Sequence, residues 1–194
     1  MTSKKTILFI GLVWPEPTSS AAGTRIIQLM ELFLAWGYQI TFASAAAKSP
    51  YSFDLKKLNV TEQEIELNQS SFDEFIKQLQ PQIVLFDRYI SEEQFGWRVA
   101  ENCPNALRIL DTEDLHFLRL ARQEAFKKNI PFDEFDLHTD VAKREIASIY
   151  RCDVSLMISE VEIQLLQEQF NIPKSLLCYL PFLISELPQK VKSF

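Results

Sequence analysis

Glycine is scarce in this chain, with four in 194 residues against an average of about 7%, and what it lacks in glycine it lacks in glycine-built motifs. Neither G-x-G-x-x-G nor G-x-x-x-x-G-K-[ST] occurs, which removes the dinucleotide fingerprint and the Walker phosphate loop. The first apolar stretch does not end in the acidic pair of a phospho-acceptor receiver domain. The three cysteines, Cys103, Cys152 and Cys178, are odd in number and far apart, which excludes a disulfide framework and C-x-x-C metal spacing and reads as free thiols. No basic block accompanies the net charge of −6, which argues against nucleic acid as a main partner. No segment reaches the roughly 18 apolar residues of a membrane span. Lys4 and Lys5 precede only a short apolar run before Pro15, with no small-residue cleavage site, so the start does not read as a secretory signal. A hydrophobic fraction of 47% and a charged fraction of 24% suit one soluble, cytoplasmic α/β domain.

What is present is organised around residues 7–25. The apolar run Ile7-Leu8-Phe9-Ile10-Gly11-Leu12-Val13 reads as a strand buried on both faces of a parallel sheet, followed by a Pro- and Ser-rich loop and the start of a helix. That helix is expected over 22–36, with Ser19 or Ser20 as cap and Gly37 as stop. A strand over 38–43 completes a βαβ unit. The alternation continues with an edge strand over 64–67, a helix to Leu79 opened by a capping box at Ser71-x-x-Glu74, and a strand over 82–86 ending in Asp87-Arg88. Next come a helix over 92–101, a strand over 106–110, helices over 114–128 and 134–151, a strand over 154–158, a helix over 160–170 and a last strand over 175–180. The pattern predicts a Rossmann-like, doubly wound, mostly parallel sheet in one domain over 1–184, with 185–194 as a polar tail or the beginning of a linker.

In such a sheet ligands bind at the C-terminal edge of the strands, and two groups of residues fall there. Ser20, Ala22 and Gly23 lead into a helix whose free amides would favour an anion, and Arg25 could add a planar fork for phosphate or carboxylate. The same residues also read as a capped helix with a solvent-facing arginine. After the strand ending at Leu110 come Asp111, Glu113, Asp114, His116 and Arg119. If Asp114 opens the helix, His116 and Arg119 share a face, and His116 could act as general base or sugar-hydroxyl donor with a nearby carboxylate fixing its tautomer. The alternative is an acid-rich helix cap with a satisfied His116. Asp87 ends one strand at that edge, and Ser159-Glu160 follow another, where they also read as a helix cap. Lys143-Arg144-Glu145 reads as a solvated helix face.

Three stretches carry a resemblance. The opening ILFIGLVWPEPTSSAAGTRIIQLMELFLAWGYQITFAS, the later run SEEQFGWRVAENCPNALRILDTEDLHFLRLARQEA and the closing DVSLMISEVEIQLL together resemble the N-terminal domain of GT-B glycosyltransferases of the family-4-like group. The D-x-x-D-L-H-F-L-R run is the most specific of them, and Ala21-Ala22-Gly23 departs from the family's adjacent glycines. The resemblance implies sugar transfer from a nucleotide-diphosphate sugar to a hydroxyl acceptor, usually with retention and without an essential metal. Catalysis would need a C-terminal donor-binding domain or subunit that would begin after Pro181. It implies that Ser20, Ala22 and Gly23 face the interdomain cleft near the diphosphate, that Arg25 and His116 are the polar groups of this half, and that no cofactor beyond the donor is used. Two rivals remain at this point. One is a non-catalytic interaction module, which an exposed apolar patch at Trp14, Phe117 and Pro181-Phe182-Leu183 would favour. The other is a deacetylase or dehydrogenase, which has neither metal spacing nor a glycine fingerprint behind it.

Overall fold

A computed structural model of the chain describes residues 5–132 and 137–183. The expected tail over 185–194 and the residues 134–136 of an expected helix lie outside that range. Seven parallel strands form one sheet in the order β3-β2-β1-β4-β5-β6-β7. They are β1 (Thr6–Gly11), β2 (Gln39–Ser44), β3 (Thr61–Glu64), β4 (Ile83–Asp87), β5 (Leu107–Glu113), β6 (Val154–Met157) and β7 (Leu177–Tyr179). The helices are α1 (Ala21–Ala35), α2 (Ser71–Leu79), α3 (Arg88–Asn102), α4 (His116–Lys128), α5 (Asp140–Arg151) and α6 (Glu160–Phe170).

The run 7–10 is continuously apolar because the central strand is covered on both sides. Ile7 and Phe9 pack with Ile26, Leu29, Met30 and Phe33 of α1, whereas Leu8 and Ile10 pack with Phe72, Ile76, Phe95 and Val99 of α2 and α3. A period of two thus divides one strand between two hydrophobic layers. α1 starts where Ser20 Oγ accepts the Gly23 amide at 3.0 Å. It stops at Gly37, whose φ of +80° lets its amide reach Leu34 O at 2.9 Å and the Tyr38 amide reach Phe33 O at 3.0 Å. Those are the paired bonds of a Schellman ending, with the Tyr38 and Phe33 rings 5.3 Å apart as its apolar contact.

Five elements differ from expectation, the first being α5, which begins at Asp140 behind the cap residue Thr139 where a helix over 134–151 is expected. The box at Ser71 is not used: Ser70 is the cap residue and no side chain bonds the first amides of α2. β3 pairs with β2 through Thr61 to Glu64, three residues before the expected edge strand begins. α3 begins at Arg88, four residues earlier than the sequence predicts. β5 continues through Asp111 and Thr112 to Glu113, so α4 opens at His116 instead of Asp114. The acidic run reads as a cap because its residues favour helix starts, but its backbone is needed by the ladder. A bulge between Asp111 and Glu113 accommodates one extra residue against β6.

Candidate functional site

The strand order reverses between β1 and β4, because β1 leads by α1 to the β2 side and β4 leads by α3 to the β5 side. A crevice outside the strand ends is expected at such a switch point, and a pocket of about 220 Å³ sits there, lined by Trp14, Glu16, Ser20, Gly23, Asp87 and Arg88 among others. Ala22 lines it too, so Ser20, Ala22, Gly23 and Asp87 are brought together as the sequence places them. Asp87 is anchored on both sides. Its Oδ2 accepts the Leu12 amide at 3.3 Å, and its carboxylate takes two bonds from Arg88, Nε to Oδ1 and Nη2 to Oδ2, each 3.1 Å. In the first turn of α1, Ser20 takes the Gly23 amide and the Thr24 amide bonds Ser20 O. The amides of Ala21 and Ala22 have no helical partner.

Gly23 serves packing instead of ligand approach. A Cβ there would stand 2.4 Å from the Glu16 carbonyl carbon, so the glycine lets the loop lie against the helix. Glu16, a residue that sequence reasoning missed, organises that loop: its carbonyl accepts the amides of Ser19 and Ser20 at 3.1 and 3.0 Å, and its carboxylate accepts Ser19 Oγ at 2.8 Å and the Ser49 hydroxyl. The Ser49 and Ser19 hydroxyls hold the Glu16 carboxyl below its ordinary value. No local motif marks this residue.

Arg25 does not offer its fork to a ligand. It is 1% exposed, its Nε lies 3.0 Å from both oxygens of Asp111 and its Nη2 2.9 Å from Oδ1, while Nη1 donates to Pro181 O at 3.3 Å. Both the anion-binding and the solvent-facing readings of Arg25 are thereby corrected, and so is Asp111 as a ligand group, since it is 0% exposed. The cause is long-range: the two residues are 86 positions apart and meet only when α1 packs beside β5. Burial pushes the Asp111 carboxyl up to about 6, against the pull of Arg25, which leaves it ionised at neutral pH. Glu113 is pushed up to about 7 by burial and by the Asp87 carboxylate, with Arg88 acting the other way at 3.9 Å.

Arg88 and Glu113 also share a backbone oddity. Their φ values are +67° and +59°, a region that costs a non-glycine residue on the order of 1–2 kcal/mol. Among the described residues five other non-glycine residues have positive φ, and four of these are asparagines, which tolerate that region. Arg88 follows β4 and Glu113 ends the adjacent β5, both at the ligand edge. Residues held this way cluster at functional sites, and sequence inspection gives no sign of it.

Beyond Arg88 the edge continues through Tyr89, whose ring packs 5.9 Å from that of His116. His116 and Arg119 share a face, as expected: Arg119 Nη2 donates to His116 Nδ1. That bond places the neutral ring's proton on Nε2. Burial and the Arg119 charge hold His116 below its ordinary pKa. Asp114 acts one step removed from the expected role, binding Arg119 Nε at 2.9 Å instead of the imidazole. Ser159 caps α6 by accepting the Glu162 amide at 3.3 Å, and Glu160 is exposed in that helix's first turn. Among the described residues no hydrogen bond or ion pair joins these two to the pocket.

Two further expectations are corrected. Trp14 and Phe117 are each 1% exposed, so they form no surface patch with Phe182. Trp14 is held inside because its Nε1 donates to Ala46 O at 2.7 Å. Glu145 is 1% exposed and not part of a solvated face. A larger open groove of about 690 Å³, unforeseen in the sequence, lies beyond Ala46 at the ends of β2 and β3, between Lys48, Glu64, Glu66 and Phe75.

This architecture is the N-terminal-type domain of the GT-B fold. A sucrose-phosphate synthase from Thermosynechococcus elongatus superposes with a TM-score of 0.60 at 13% identity, over 92% of this chain and 48% of that one. The lipopolysaccharide outer core galactosyltransferase WaaB superposes with a TM-score of 0.58 at 16% identity, over 96% of this chain and 50% of that one. An alpha-glucosyltransferase solved with UDP and a DNA 13-mer gives 0.55 at 12% identity, over 94% and 43%. The chain therefore spans about half the length of the solved chains it matches. No protein-family model matches the sequence, and no curated protein does. No helix among the described residues is long and apolar enough to cross a membrane.

Proposed function

We propose that this chain is the acceptor-side half of a glycosyltransferase, which moves a sugar from a nucleotide-diphosphate donor to a hydroxyl acceptor when a donor-binding half closes over its strand edge. The observation that carries the reading is the switch-point pocket, where the open first turn of α1 meets Asp87 and Arg88 in a chain half the length of its structural neighbours. Amides at a helix start suit an anion such as the diphosphate. Arg88 uses Nε and Nη2 on Asp87, which leaves Nη1 to face negative charge that builds on the leaving group. Neutral His116, with its proton on Nε2, suits donation to a sugar hydroxyl, and the acceptor proton would pass to the donor's own phosphate. The groove beyond Ala46 gives the acceptor room. The chemistry uses the donor as substrate and calls on no cofactor or metal.

The test is transfer from a panel of nucleotide-diphosphate sugars to hydroxyl acceptors by the native protein purified from its source, with any donor-binding half that accompanies it. Transfer that falls by about 10²-fold or more in His116→Ala supports the assignment. Absence of transfer across the panel, or wild-type kinetics in the variant, overturns it.

A further inference from the structure

The residue before α4 is Leu115, which has no side-chain acceptor for the helix's first amides. Partners for two of them come from another helix. Glu145 on α5 accepts the His116 amide on Oε1 and the Phe117 amide on Oε2, both at 3.0 Å. The same turn of α5 reaches the imidazole through Tyr89: Arg144 lies 5.5 Å over the Tyr89 ring, that ring packs on His116, and Ser148 Oγ donates to Tyr89 O at 3.4 Å.

We propose that Glu145 is the positioning residue of His116, locking the first turn of α4 when ionised and loosening it on taking up a proton. An ionised carboxylate accepts both amides. A protonated one turns a hydroxyl toward an N–H, and one of the two bonds is lost. Burial pushes this carboxyl up to about 7, against the two amides, so the exchange falls near neutrality. The groups facing it are Asp114 just past β5, the His116 and Phe117 amides of α4, Tyr89 on α3 and Glu162 on α6. On its other flank, Glu92 and Glu93 of α3 are matched by Arg151 and Arg144. Asp114 and Glu162 both favour the protonated form.

The inference rests on the transfer reading only for what His116 does, because its readout is the backbone of the chain by itself and needs no substrate. In 1H–15N spectra the His116 and Phe117 amides should move together through one step near pH 7, and Glu145→Gln should abolish it. A flat wild-type profile, or the same step surviving in Glu145→Gln, overturns the proposal. If that variant does not fold, exchange protection of the two wild-type amides decides. It should fall at least about fivefold between pH 8 and pH 6 as the turn opens more often, while that of Ala142, capped by the Thr139 hydroxyl, stays constant. Equal protection at both pH values overturns the proposal.

Discussion

The two helices that begin at the centre of the strand edge solve the same problem in opposite ways. α1 follows β1 and is capped by its own neighbour, Ser20, which takes one amide and leaves those of Ala21 and Ala22 without a helical partner. α4 follows β5 and is capped by a carboxylate from α5, which occupies the amides of His116 and Phe117. A helix start attracts anions, so a start filled from within is closed to a ligand. The start of the first helix is left open, and that of the second is filled by a side chain from elsewhere in the fold. The two ends are tied together by the buried pair of Arg25 on α1 and Asp111 on β5.

The largest break in this arrangement should come from that tie. Arg25→Ala leaves Asp111 buried without its countercharge, and unfolding in urea should show a loss of about 3–5 kcal/mol; a loss below about 1 kcal/mol would mean that Asp111 simply takes up a proton. A pH series sharpens the contrast next, since only the β5 and α4 side depends on carboxylates with raised values. Glu113 and Glu145, each near 7, stay protonated in the folded chain where the unfolded chain has already released its protons. The stability they contribute is therefore present at low pH and lost as pH rises from about 4.5 through 7. The unfolding free energy should drop by on the order of 3 kcal/mol for each of the two carboxyls across that window, and Glu113→Gln should remove about half of the drop. A rising profile would refute the sign. The smallest effect belongs to Ser20→Ala, about 1 kcal/mol for one lost cap, with no pH dependence because a hydroxyl does not titrate. An equal effect at pH 5 and pH 8 is the expected outcome, and a pH-dependent one would show that α1 also has an ionisable partner.

Most of the framework was legible because its causes are local. Four consecutive apolar residues from Ile7 mark a strand covered on both faces, and the Trp36-Gly37-Tyr38 ending of α1 follows from the left-handed conformation that glycine permits. The site was legible only in part, for the same reason inverted. Ser20, Ala22, Gly23 and Asp87 meet at the switch point as their strand-end positions imply. Arg25, Asp111 and Asp114 took other roles because their partners lie elsewhere, Arg25 and Asp111 being 86 positions apart. The acidic run after Leu110 looks like a cap by composition, yet its backbone belongs to a strand whose charge is balanced by α1. Glu145 looks like surface because Lys143 and Arg144 precede it, and only the packing of α5 on α4 turns it inward. Capping by a distant carboxylate leaves no spacing for a sequence to display.

The Glu16 carbonyl, which gathers the Ser19 and Ser20 amides together with both their hydroxyls, has a thermodynamic consequence for anything that enters the pocket. The hydroxyl of Ser20 donates to that carbonyl while accepting the Gly23 amide, so the loop after β1 and the first turn of α1 are one hydrogen-bonded unit. Its conformational entropy is surrendered when the chain folds. A ligand arriving at the open amides meets a preorganised surface, and its affinity is not reduced by ordering a mobile loop.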